Sequence, residues 1–364
     1  MLASCGDAAP DFLEPLTQEQ LSVVTDAAGA PREDLARAID DLFTAEGLGE
    51  TRAVVVMADG QLAAERYGEG YDADTRFVSW SMAKTITGVM IGMLIADGRL
   101  GLDEPAPVPM WQRQGDPRAE ITLRQLLQMR SGLRHTEAGD PPYESSEVRM
   151  LFLDGRDDMA QWAKEQPLEA EPGEMFEYSS NTTVILADIA TRALTSSDDP
   201  DIRRKAVSDY LAARLFDPLE MQSMVLEFDA SGTLIGGSLM HASARDWAKF
   251  GEFMRNNGRA PAGEQLVPSR WIEQMVTPSP ASAHYGLQTW LNRPRDDQDD
   301  AYPHPLFPDR APQSLFSLIG HMGQYVLVSP EQRITVVRLG HSASDERPPM
   351  LQETADILEL YPVR

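Results

Sequence analysis

Three short stretches of the chain hold residue types at spacings that could do chemistry. In Ser81-Met82-Ala83-Lys84 a hydroxyl and an amine stand three residues apart, on one face of any helix that contains them. A serine is a poor nucleophile until a neighbour takes its proton. A neutral lysine can do so if burial or nearby positive charge lowers its pKa. The chain has only four lysines, and this one falls in an apolar run where a lysine needs a reason. The plainer reading is a serine that starts a helix and a lysine that faces solvent. Tyr178-Ser179-Ser180-Asn181 follows the break Glu171-Pro172-Gly173 and precedes a helical pattern. A tyrosine next to a lysine can share its proton or pass one to a leaving group, while Ser180 or Asn181 can cap the helix; the two roles are compatible. In Gly320-His321-Met322-Gly323-Gln324 two glycines flank a histidine between predicted strands. They suit either a strand edge that offers an N–H to an oxyanion, or a tight turn at positive φ with an exposed His321.

Other chemistries are excluded by what the sequence lacks. It has no Gly-x-Ser-x-Gly elbow, no Walker loop, no glycine fingerprint of a dinucleotide fold and no His-Glu-x-x-His. Its six histidines show no metal spacing, and a single cysteine rules out an internal disulfide or a Cys-rich zinc site. The Asp-rich run at 296–300 lacks the glycine and the terminal glutamate of a calcium loop. The expectation is therefore no metal and no organic cofactor. The net charge of −25, from 57 acidic and 32 basic residues, disfavours nucleic acid and anionic membrane as partners. It fits a soluble, self-repelling surface.

No run of 18 apolar residues is present, so no transmembrane segment is expected. Leu2-Ala3-Ser4-Cys5 is similar to a lipobox, which leaves two locations open: a periplasmic or membrane-anchored lipoprotein with a trimmed signal, or the cytoplasm. Residues 1–12 read as a flexible lead-in.

These candidates need elements to position them. Apolar spacing predicts two helices within 18–45, split at Gly29-Ala30-Pro31. The runs 52–57 and 61–67, joined through Asp59-Gly60, predict a β-hairpin. Phe77 to Leu94 reads as a helix. From 101 to 230 helical signals dominate, at 121–129, 150–164, 183–194 and 202–216. After further helices at 243–256 and 268–275 and a strand at 285–291, residues 292–312 read as a long surface loop. Strands at 314–319, 324–328 and 334–339 and a helix at 351–360 close the chain. The fold class is thus α/β (α+β): an antiparallel sheet flanked by helices, formed by 13–100 and 231–364, with 101–230 as an inserted helical subdomain.

In this order, Ser81-x-x-Lys84, Tyr178 and His321-x-Gly323 resemble the serine β-lactamase and penicillin-binding-protein superfamily. Within it the closest likeness is to class C β-lactamase-like hydrolases, including family VIII carboxylesterases and 6-aminohexanoate-dimer hydrolases. The stretches 77–85, 95–100, 126–133, 236–238, 243–247 and 320–325 carry it. The resemblance implies that Ser81 forms an acyl-enzyme, that Lys84 accepts its proton with Tyr178 in the relay, and that the N–H groups of Ser81 and Gln324 form the oxyanion hole. It implies a site in the cleft between sheet and helical subdomain.

The sequence also departs from that pattern. Penicillin-active members carry Lys-Thr-Gly or Lys-Ser-Gly where this chain has His321-Met322-Gly323, and a neutral histidine offers no fixed charge for a β-lactam carboxylate. The class C Tyr-x-Asn becomes Tyr178-Ser179-Ser180 with Asn181 one position later, so either Ser180 replaces the amide or the register shifts. Trp80, Ser180, Asn181, His321, Met322 and Gly323 are the expected substrate contacts; Ser79 and Trp80 either shape the pocket or pack. The expected activity is hydrolysis of short-acyl carboxylic esters or small linear amides, by a monomer or homodimer. The alternatives are a 6-aminohexanoate-oligomer amidase, a β-lactamase or D-Ala-D-Ala peptidase, and a non-catalytic binding module of the same fold.

Overall fold

Asp59 and Gly60 both adopt positive φ, 50° and 80°, and this two-residue turn pairs Ala58 with Gln61. The hairpin it closes opens the central sheet. The computed structural model describes residues 14–293, 306–307 and 309–364. The stretch 1–12 expected to be a flexible lead-in, the Cys5 motif and most of the 292–312 stretch expected to be a surface loop lie outside the described residues.

In chain order the elements are α1 (Gln18–Ser22), α2 (Arg32–Thr44), β1 (Glu50–Ala58), β2 (Gln61–Tyr67), β3 (Phe77–Val78) and α3 (Ala83–Ala96). Then come α4 (Leu123–Leu127), α5 (Ser146–Phe152), α6 (Met159–Lys164), α7 (Ser180–Leu194) and α8 (Pro200–Leu211). They are followed by β4 (Val225–Leu226), β5 (Met240–Ala242), α9 (Ala244–Arg255), α10 (Ser269–Met275) and β6 (Trp290–Leu291). The chain ends with β7 (Phe316–Gly320), β8 (Gln324–Ser329), β9 (Ile334–His341) and α11 (Arg347–Glu359).

The large sheet is antiparallel in the order β2-β1-β9-β8-β7-β6, so the first and last strands of the chain pair, β1 against β9. Alternation along β1 divides the core. Ala53 and Val55 face α3 and α9, while Val54 and Val56 face α2 and α11. The apolar cluster on the first face continues without a break into α4 to α8, so sheet and helical segment share one core.

Helix α3 is buried on all sides from Ala83 to Leu94, which is why its sequence is apolar round the whole circumference. Gly92 allows this: a side chain there would stand 2.1 Å from the Trp271 indole of α10.

Three expectations differ from the structure. Residues 77–78 are not helical but pair with β5 in a second, three-stranded sheet of order β3-β5-β4, and a single tight turn, Trp80–Met82, precedes α3. The predicted helix at 150–164 is two, because the chain turns at Gly155, where a side chain would strike Met150 and Trp162. The predicted strand at 285–291 reduces to Trp290–Leu291.

Candidate active site

Ser81 occupies the tight turn that leads into α3. Ser79 fixes that turn from behind. It is fully buried, its N–H donates to Met240 O (2.7 Å), and its hydroxyl accepts from Met240 N (3.1 Å). Ser79 therefore packs, whereas Trp80 lines the pocket. Trp80 adopts a φ of 44°, a left-handed conformation rarely taken by a bulky residue. Its indole meets the His321 ring edge to face at 5.4 Å. The backbone strain thus accompanies an aromatic wall beside the serine.

One turn later on the same helix face, Lys84 is 1% exposed. Its Nζ lies 2.8 Å from Ser81 Oγ, 2.7 Å from Ser180 Oγ and 2.8 Å from Gly237 O. Burial pushes its pKa below the usual lysine value, opposed by the carboxylates of Glu137 and Glu147. The contact to Ser81 Oγ is the path by which a hydroxyl proton can reach a neutral amine.

Glycines bring Gly237 O to that position. A side chain on Gly237 would stand 2.8 Å from Ser180 O, and one on Gly236 2.5 Å from Thr87 Oγ1. The familiar Gly236-Gly237-Ser238 stretch is a close approach between a loop and two helices.

At the start of α7, Ser179 caps the helix by accepting from Thr182 N (3.1 Å), and His135 Nδ1 lies 3.1 Å from its hydroxyl. His135 is fully buried and its pKa is pushed down to about 4, so it packs as a neutral ring. Ser180, not Asn181, faces Lys84. Asn181 turns to the carbonyl of Ser146 at 3.4 Å. The Tyr178 ring packs against Tyr285 and Trp290, and its centre lies 4.7 Å from Lys84 Nζ. Trp290 lines the pocket, whereas Trp111 is buried core with its indole N–H on Lys164 O.

The sequence reading missed two carboxylates. Glu137 accepts from both Ser180 Oγ and Ser180 N at 2.6 Å, and its Oε1 lies 3.8 Å from Lys84 Nζ. Glu147 lies 3.4 Å from Ser180 Oγ, and burial followed by the charge of Glu137 pushes its pKa up to about 8. The loop that delivers them is locked by Thr136 and Ser146, whose hydroxyls and N–H groups bond each other at 3.0–3.1 Å. The only sequence signal was position: Glu137 lies just beyond Ser131-Gly132-Leu133, in a polar run that reads as an ordinary loop.

These groups meet at a pocket of about 240 Å³, walled by Trp80, Ser81, Glu137, Glu147, Tyr178, Trp290 and, from the end of β7, Ile319, Gly320 and His321. Gly320 runs directly behind the serine turn, since a side chain there would stand 2.4 Å from Ser79 O. The His321 pKa is lowered by burial and then by Arg347 and His341, so the ring is neutral.

Met322, Gly323 and Gln324 are not among the lining residues. The pairing of Gly320 with Gln324 leaves 321–323 as the turn, with positive φ at Met322 (59°) and Gly323 (84°). The Gln324 side chain instead clamps the turn to β9 through Gly340 O (2.6 Å) and Gly340 N (3.0 Å). The pocket faces the end of β7, one strand away from the Gln324 that was expected to supply an oxyanion donor.

Compared with known proteins, residues 39–359 match the family model described as Beta-lactamase. The chain belongs to this family. A 6-aminohexanoate-dimer hydrolase of Paenarthrobacter ureafaciens is 25% identical over 285 residues, 74% of this chain and 66% of that protein, so this chain spans just under two thirds of that relative's length. Among solved structures, a Bacillus anthracis protein assigned as a 6-aminohexanoate-dimer hydrolase superposes with a TM-score of 0.66 at 22% identity, covering 86% of this chain and 80% of the other. A family VIII carboxylesterase does so with 0.65 at 14% identity, covering 91% and 98%. These likenesses establish the β-lactamase and penicillin-binding-protein fold expected from the sequence. In the described residues no helix is long and apolar enough to cross a membrane, and no group of three or more His, Cys, Asp or Glu could hold a metal ion.

Proposed function

We propose that this family member is a serine hydrolase that opens small carboxylic esters or linear amides through an acyl-enzyme on Ser81. The observation that carries the reading is the buried Lys84 amine 2.8 Å from Ser81 Oγ, at the wall of an open pocket. Ser81 Oγ bonds to the substrate carbonyl carbon as its proton passes to Lys84 Nζ. Main-chain N–H groups of Ser81 and of the β7 end stabilise the oxyanion. The carbonyl then re-forms, and the alcohol or amine leaves with a proton relayed through Lys84 and Tyr178. Water attacks the ester on Ser81 and releases the acid. Ser180 holds the amine in line, in the place where class C enzymes use an asparagine.

Amides belong in the reading because an amine leaving group must be protonated, and a phenol beside the lysine supplies that step. The 6-aminohexanoate-dimer hydrolase relative supports the same class. The neutral His321 supports esters and linear amides over β-lactams, for want of a lysine charge at that strand.

Mass spectrometry of the intact protein mixed with nitrophenyl esters, linear amides and penicillins tests this. An acyl adduct on Ser81, absent in Ser81→Ala, is expected with the esters, together with turnover that falls about a thousandfold or more in Lys84→Ala. Unchanged turnover in Lys84→Ala would remove the mechanism.

A further inference from the structure

A lysine that takes a proton must aim its lone pair at the group that gives it. Among the described residues Lys84 Nζ has three hydrogen-bond partners, Ser81 Oγ (2.8 Å), Ser180 Oγ (2.7 Å) and Gly237 O (2.8 Å). The ammonium form has three N–H groups and satisfies all of them. The neutral amine has two N–H groups and one lone pair. Gly237 O is a carbonyl and only accepts, so it takes one N–H. The lone pair then faces either Ser81 or Ser180, because a hydroxyl can donate or accept. Facing Ser180, it leaves Ser81 unactivated.

The Ser180 proton is held elsewhere. Its hydroxyl donates to Glu137 Oε1 at 2.6 Å, and its N–H donates to Glu137 Oε2, also at 2.6 Å. A carboxylate only accepts, and a bond to it is about twice as strong as one between neutral groups. The Glu147 carboxyl, 3.4 Å away, is the longer alternative, and below about pH 8 it keeps its own proton. The Ser238 hydroxyl approaches at 3.5 Å as a donor. With its one O–H spent, Ser180 can only accept from Lys84. Ser81 Oγ, by contrast, is bonded to Lys84 alone among the described residues.

We infer that Glu137 is a positioning residue that sorts the hydrogen bonds of Lys84: it holds the Ser180 O–H and so leaves Ser81, of the three partners, to donate to the amine lone pair. The inference deepens the Ser81 reading and rests on it. An asparagine oxygen in the place of Ser180 could only accept, so the serine creates an ambiguity and Glu137 removes it. This role differs from that of the Glu137 charge, 3.8 Å from the amine. Charge moves the pKa of Lys84, whereas the bond through Ser180 sets the direction of its lone pair. When the Ser81 proton arrives, Ser180 and Gly237 already accept the other two N–H groups, so no partner has to turn.

The test is a double-mutant cycle on the full-length protein: wild type, Glu137→Gln, Ser180→Ala and the double variant. The probe is a nitrophenyl methylphosphonate ester, which labels an activated serine whatever the natural substrate. The Ser81 Oγ–P bond forms, nitrophenolate leaves with the electron pair of its P–O bond, and the serine proton goes to Lys84. Intact mass gives the labelling rate, followed across pH so that limiting rates with Lys84 neutral are compared. In that limit the effect of the Glu137 charge on the amine titration drops out. In Glu137→Gln the amide can turn its NH2 to Ser180 and free the O–H for the lone pair. Limiting rates are expected to fall about tenfold in Glu137→Gln and about tenfold or more in Ser180→Ala, with the double variant within about twofold of Ser180→Ala. Losses that multiply to about a hundredfold overturn the inference, because Glu137 then acts without the Ser180 hydroxyl. Ser180→Gly takes the place of Ser180→Ala if that protein does not fold.

Turnover of nitrophenyl butyrate and nitrobutyranilide is followed in the same proteins. Losses in labelling that do not multiply, with no turnover of either compound, sink the hydrolase reading and keep the orienting role. Multiplying losses with Ser81-dependent turnover sink the orienting role and leave the hydrolase standing. A wild-type Ser81 that is never labelled overturns both.

Discussion

Lys84 must be neutral to take the Ser81 proton, and the structure supplies opposing influences on that state. Burial lowers its pKa, while Glu137 and Glu147 raise it. Activity is therefore expected to rise with pH along a limb whose midpoint lies below the ordinary lysine value. In Glu137→Gln one raising charge is gone, so the limb moves to lower pH, and kcat falls about tenfold because the amide keeps only one of the two oxygens that accept from the Ser180 N–H and hydroxyl. A pH–kcat/KM profile of both proteins checks this, and an unmoved limb would refute the coupling. Glu147 gives a stability counterpart. Its folded pKa of about 8 lies above the ordinary glutamate value of 4.5. The stability linked to its proton is complete below pH 4.5 and is lost as pH rises through 8. Glu147→Gln, which carries no proton to lose, is expected to melt about 5 °C above wild type at pH 9, with the gap closing towards pH 5. Thermal melts across that range decide it. The serine and lysine were legible in the sequence because their relation is local, one helical turn. Glu137 was not: the Ser131-Gly132-Leu133 stretch before it marks the place but not which residue of the polar loop acts. Its role exists only after the loop has folded against α7.

Elements bring these residues together, and the joints between them are the places to test. Gly237 has no positive φ to explain it. Its requirement is space, since a side chain would stand 2.8 Å from the backbone of Ser180. Gly237→Ala is expected to push its carbonyl off Lys84 and cut kcat about tenfold or more, with a small change in Tm. A large Tm loss with kcat intact would assign the glycine to packing instead. Helix α7 is held from its other side by Asp188, a buried carboxylate that meets Lys164 at 2.9 Å, Arg203 at 2.7 Å and Arg192 at 2.9 Å. Burial alone would raise its pKa, but these cations hold it below the usual range. Asp188→Asn leaves Lys164 and Arg203 buried without a counter-charge. A loss of about 3–5 kcal/mol is expected, read as a Tm drop of roughly 10 °C. The hairpin of β1 and β2 and the terminal strands were legible because they are long enough to alternate. Strands of two residues, Phe77–Val78 and Val225–Leu226, show no period at all. The tight turn at Ser81 likewise follows from the pairing of Ser79 with Met240, a contact made across 161 residues of chain.

At the scale of the whole molecule, the order of elements was enough to place the first and last strands side by side. A hairpin at one end and a meander at the other supply all the strands of the large sheet, while the second sheet draws on short strands between them. The charge of −25 says something different, about the solvent rather than the fold. Salt acts on this molecule in two opposing ways. It weakens exposed ion pairs such as Arg310 with Asp356 and Glu359, each worth at most about 1 kcal/mol. It also screens the mutual repulsion of the acidic excess, which the folded state concentrates and the unfolded chain relieves. With 57 acids facing 32 bases, most acidic groups on the surface have no partner to lose, so the second effect outweighs the first. Raising sodium chloride from about 10 mM to 500 mM shrinks the screening length from about 30 Å to about 4 Å. Tm is expected to rise by about 5 °C over that range, equally with potassium chloride. The gain should shrink near pH 5, where part of the acidic excess is protonated. A Tm that falls with salt at pH 7 would mean that the ion pairs, not the excess, dominate the surface energy of this chain.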